Sequence, residues 1–154
     1  MWALLCIPLL ADLALSDMRC RKVSVLQLAI FGSLLFLTSV YQAGLRTVLE
    51  NMLANFGACL ALGIALYAWA HLRGHRLADM IGCGDLVFVG LLTPYFRPYD
   101  FLLFLTVSCA VTLVVWCIWC LACHRETADT IPLVSGLGLC LTPVILYRTV
   151  LLLI

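Results

Sequence analysis

The sequence predicts an all-α membrane protein, a bundle of about six transmembrane helices, and three observations carry that prediction. Of its 154 residues, 65% are apolar and 11% charged, where soluble domains run to about 45–50% and about 25%. The mean hydropathy is +1.14, an apolar load that no soluble fold of this length can hide from water. The apolar residues fall into six stretches, 2–16, 23–41, 51–70, 81–96, 101–123 and 131–154, parted by short charged or turn-forming breaks. No composition shift marks a second domain, so residues 1–154 read as one polytopic membrane domain. A net charge of +1 excludes nucleic acid as a partner, since phosphate binding needs a concentrated basic face.

A helical span needs roughly 20 residues, with about 17 as the lower limit. The second, third, fifth and sixth stretches meet this. The first and fourth are short, and each is expected to be tilted, partly sunk or broken near one membrane face. The first resembles a signal peptide but has no basic region ahead of it; Arg19, Arg21 and Lys22 follow it instead, which reads as a retained span. Leu5 stands before Cys6, where a lipoprotein site needs a small residue.

Lys and Arg set the orientation. Arg19, Arg21, Lys22, Arg73, Arg76 and Arg125 follow the first, third and fifth stretches, against Arg46, Arg97 and Arg148 on the other side. The bias places both termini outside and those three loops in the cytoplasm.

Ionisable residues in or beside a span are functional candidates by default. Asp17 ends the first stretch, in Ser16-Asp17-Met18-Arg19-Cys20-Arg21-Lys22, and Asp85 opens the fourth, in Gly82-Cys83-Gly84-Asp85. Two further spans lie between them, so both aspartates return to one membrane face. Two nearby carboxylates cannot both ionise and share a proton. The ionised member then draws a proton from water while the protonated member polarises a carbonyl. Gly82 and Gly84 suit such a site, because residues without side chains admit a neighbouring helix and a substrate backbone.

Gly82-Cys83-Gly84-Asp85 resembles the GxGD signature of membrane-embedded aspartic peptidases. The stretch from Asp17 to Val23 resembles the Asp-x-Arg-x-Arg-x-Ile sequence of type IV prepilin and preflagellin peptidases. Ile131-Pro132-Leu133-Val134 is similar to the Ile-Pro-Phe tract opening their last span. The resemblance runs along essentially the whole chain. It implies an aspartic endopeptidase of the inner (cytoplasmic) membrane that cuts the short basic leader from prepilin-like proteins at the cytoplasmic face. It makes Asp17 and Asp85 the catalytic pair, where the first and fourth helices meet, with Gly82 and Gly84 as active-site backbone. Arg19 and Arg21 become candidate substrate-positioning residues, and no metal or other cofactor is implied. The cytoplasmic insert of the larger members, linked to N-methylation, has no counterpart between the first two stretches, so no methyltransferase activity is expected. Two departures bear on substrate recognition. Val23-Ser24-Val25 replaces the usual Ile-Pro-Asn, and Val87 stands where a lysine is usual.

Other readings stand beside these. Asp17 could be a helix-end residue paired with Arg19 or Arg21. Asp85 could be an ordinary helix N-cap. Asp12, inside the first stretch and five residues from Asp17, points to a different helix face and reads as a buried polar contact or water-pathway residue. Asp79 reads as a loop charge. Cys120-Leu121-Ala122-Cys123-His124 matches the form of c-type haem attachment, and Cys117, Cys120, Cys123 and His124 could be counted as a zinc set. Their place at the cytoplasmic end of a span favours packing cysteines instead. His71, His75 and His124 read as positive-inside loop residues, and Trp116 and Trp119 as interfacial anchors. Two functional alternatives remain: a catalytically silent relative that binds or scaffolds pilin-like subunits, and a haem- or metal-binding membrane protein.

Overall fold

The computed structural model describes residues 6–20, 24–74, 82–123 and 133–151, with the backbone alone at 17–20, 83, 122–123, 133 and 151. Among the described residues there are six helices and no strand: α1 (Cys6–Cys20), α2 (Val25–Ala43), α3 (Leu45–Leu72), α4 (Cys83–Leu92), α5 (Pro98–Cys123) and α6 (Leu133–Leu151). Each predicted apolar stretch carries one helix. Three helices, α2, α3 and α5, are long and apolar enough to cross a membrane, while Cys6–Ser16 of α1 and Val134–Val150 of α6, the parts described with their side chains, are shorter apolar helices. The 10 residues of α4 make it about 15 Å long, half the thickness of a bilayer's hydrocarbon core.

The outward surface explains why these segments fold as apolar helices. On α3 the buried residues are Val48, Asn55 and Ala70, while Leu53, Leu60, Ile64, Tyr67 and Trp69 stand exposed. Apolar surface on this scale has lipid as its natural solvent. Hydroxyl groups point the same way. Thr38, Ser39, Thr106, Ser108, Thr112, Thr142 and Thr149 each donate to the carbonyl four residues back in their own helix. A polar group satisfied within its own helix can sit where no water is available.

Local chemistry sets the breaks. Gly44 separates α2 from α3 at φ 79 and ψ 151, a backbone conformation that glycine alone enters readily. Helix α3 begins at Leu45, ahead of the apolar stretch, and its first turn carries an exposed ion pair from Arg46 Nε to Glu50 Oε1 at 3.0 Å. At its other end the Arg73 guanidinium lies 5.8 Å from the centre of the Trp69 ring, and Gly74 takes φ 73 to end the helix.

The helices gather into two compact units, Met1–Phe31 with Leu102–Ile154, and Gly32–Phe101. In the first, α6 packs along α1. Small residues allow the approach, as is usual between helices in lipid. Ser135 Oγ donates to the Ala14 carbonyl at 3.1 Å, and a Cβ on Gly138 would lie 3.5 Å from Leu10. Gly136 faces α5 so closely that a Cβ there would overlap the Thr112 hydroxyl. Cys6, Leu10 and Leu13 with Leu137, Leu141 and Ile145 supply the buried apolar side chains. In the second unit, Gly32 of α2 admits the Leu91 side chain of α4. Phe88, Leu92, Tyr95, Phe96 and Phe101 are buried there, the Tyr95 and Phe96 rings edge-to-face at 5.1 Å.

Candidate active site

The candidate site is built at the start of α4. Gly82, at φ −70 and ψ 139, is the N-cap, and its carbonyl accepts from the amides of Asp85 (3.1 Å) and Leu86 (3.3 Å). Asp85 is therefore the third residue of the helix, which corrects the alternative reading of it as the N-cap itself. Its carboxylate turns back over Gly82, so that a Cβ on Gly82 would come 3.1 Å from Oδ2. An acid in this position is the acidic half of a capping box. The N-terminal end of the helix dipole also favours negative charge at this position. Asp85 and Gly84 are both half-buried, so the carboxylate is held by the fold yet remains accessible. Chemically this is a carboxyl group with no side chain on Gly82 to obstruct it.

The far end of α4 is fixed as closely as its start. Thr93 donates from its amide (3.2 Å) and its hydroxyl (2.7 Å) to the Gly90 carbonyl. The Tyr95 amide reaches the Leu92 carbonyl at 3.1 Å, and the chain turns through residues 93–96. Asn55 of α3 closes this corner. Its Nδ2 donates to the carbonyls of Thr93 (2.8 Å) and Phe96 (2.9 Å). In sequence Asn55 shows only as one of two asparagines, with Asn51, in the third apolar stretch.

Asp17 stands in the last turn of α1, in the first unit, with its side chain outside the described residues. The structure thus brings Asp85 to Gly82 and Gly84. The side chain of Arg19, all of Arg21 and the Ile131-Pro132 pair lie outside the described residues, as do Asp79, His75 and His124.

Asp12 makes a polar contact, though it is exposed and not buried as expected. Gln27 Nε2 of α2 donates to its Oδ2 at 2.6 Å, within the first unit. His71 sits over Tyr67, ring centres 6.2 Å apart, at the end of α3. Among the described residues no group of three His, Cys, Asp or Glu side chains could hold a metal ion. Of the four candidate zinc ligands, Cys117 and Cys120 are free thiols on α5, while the Cys123 side chain and His124 lie outside the described residues. An apolar groove lined by Thr112, Trp116, Trp119, Gly136 and Cys140 runs between α5 and α6, with almost no polar surface for chemistry.

The fold and site together define an all-α protein with helices able to cross a membrane and an acid held at the start of a short helix. No protein-family model, no characterised protein and no solved structure matches this chain.

Proposed function

We propose that this chain is a membrane-embedded aspartic endopeptidase that removes the basic leader of prepilin-like proteins at the cytoplasmic face of the inner membrane. The observation that carries the reading is the setting of Asp85: a half-buried carboxylate on the first turn of a short helix, folded back over the glycine of a GxGD sequence. In this reading all six helices are membrane-embedded, with both termini outside, and Asp17 is the second acid.

Each helix end favours a different charge state. Asp85 lies at a helix N-terminus, where the peptide dipoles favour the anion by about 0.3–1 kcal/mol. Asp17 lies in the last turn of α1, where the same dipoles favour the neutral acid. Asp85 is accordingly the base that takes a proton from water, and Asp17 the acid that gives its proton to the scissile carbonyl oxygen. Water adds to the carbonyl carbon and gives a tetrahedral diol. Collapse of the diol breaks the C–N bond, the proton from Asp85 passing to the leaving amine and a hydroxyl proton of the diol returning to Asp17. Arg19 and Arg21, two and four residues after Asp17, act in positioning the substrate.

A catalytically silent relative that binds pilin-like subunits is the second reading. It is favoured by the capping-box position of Asp85, which alone accounts for an acid there, and by Val87. Incubating the purified chain in lipid with a prepilin-like protein and sequencing the new N-terminus separates the two. Cleavage before the hydrophobic helix supports the peptidase, and binding without any cleavage supports the silent relative.

A further inference from the structure

Helix α3 faces outward along most of its length, and Asn55 is the polar residue among its three buried ones. It is fully enclosed, at 0% exposure. Both hydrogens of its amide are spent on one corner, the carbonyls of Thr93 and Phe96, while its Oδ1 takes no hydrogen bond. The residue is therefore held there for its two donors.

Two donors from one nitrogen to two carbonyls fix the corner in both translation and rotation. From the side of α2, Gly32 leaves the space that Leu91 fills. The end of α4 is thus clamped by two helices of its own unit. A helix about 15 Å long cannot anchor itself at both membrane faces, so its depth is set where it is held. Asp85 lies seven residues before Leu92, about 10 Å up a rigid helix.

We infer that Asn55 is the positioning residue for Asp85. It sets the depth and rotation of α4, and through them the place of the carboxylate. The catalytic meaning of this rests on the proposed peptidase activity; the anchoring itself does not. Other side chains fail in defined ways: leucine offers no donor, serine offers one, and aspartate offers one when protonated and none when ionised.

The test places a bio-orthogonal nitroxide at position 87, exposed on α4, in the full chain reconstituted in lipid vesicles. Its depth is read from collisions with oxygen and with a water-soluble nickel chelate. Asn55→Leu shifts the label by several ångströms, and Asn55→Asp makes its depth change with pH while the wild type stays constant. With a prepilin-like substrate, Asn55→Leu lowers kcat at least about 100-fold with little change in KM, since a misplacement of only about 1 Å already costs that much. An unchanged label depth in both variants, whatever their thermal stability, overturns the inference. A label that moves in a protein that never cleaves leaves the anchor standing and removes the peptidase reading instead.

Discussion

The carboxylate of Asp85 lies back over Gly82, near enough that a Cβ on Gly82 would meet Oδ2 at 3.1 Å. Gly82 takes φ −70, a backbone that alanine adopts without strain, so the glycine is required for space and not for conformation. Gly82→Ala should push the carboxylate a few tenths of an ångström while leaving the fold intact. Leader cleavage is expected to fall about tenfold, about 1.4 kcal/mol of barrier, with thermal unfolding in detergent almost unchanged. Equal losses of stability and cleavage would make Gly82 a structural residue only.

Gly136 and Thr112 test the packing of the first unit. A methyl group on Gly136 collides with the Thr112 side chain, and overpacking of this kind destabilises by about 1–3 kcal/mol. Gly136→Ala should lower resistance to unfolding in detergent, and adding Thr112→Gly should restore part of the loss. Additive effects in the double variant would contradict direct contact.

Asp12 and Gln27 share a hydrogen bond at 2.6 Å, remote in role from the proposed chemistry. Asp12→Ala should weaken the protein by about 1 kcal/mol and leave leader cleavage within about twofold, a change worth less than 0.5 kcal/mol of barrier. Gln27→Leu should match it in stability. A loss of cleavage near that of an Asp85 substitution would move the first acid from Asp17 to Asp12.

Hydropathy made the helices legible because each apolar stretch needs internally satisfied backbone in lipid. Their ends were less legible, since apolarity and helicity stop at different residues. Helix α3 runs back to Leu45 through polar turns, whereas α4 stops at Leu92 although Tyr95 and Phe96 are apolar and buried. Gly82 and Asp85 were legible because they are neighbours in sequence. Asn55 was not, because its partners are backbone carbonyls 38 and 41 residues away and carry no residue signature. The same holds for Asp12 and Gln27, which are 15 residues apart; each was visible as a polar residue in an apolar stretch, but the pairing was not.

The most direct measurement is leader cleavage by the purified, reconstituted chain, read by the new N-terminus of a prepilin-like substrate. The account predicts cleavage by the wild type and by Asp12→Ala. It predicts at least a thousandfold loss, about 4 kcal/mol of barrier, in both Asp17→Ala and Asp85→Ala. Cleavage that survives in either of those two variants would contradict it.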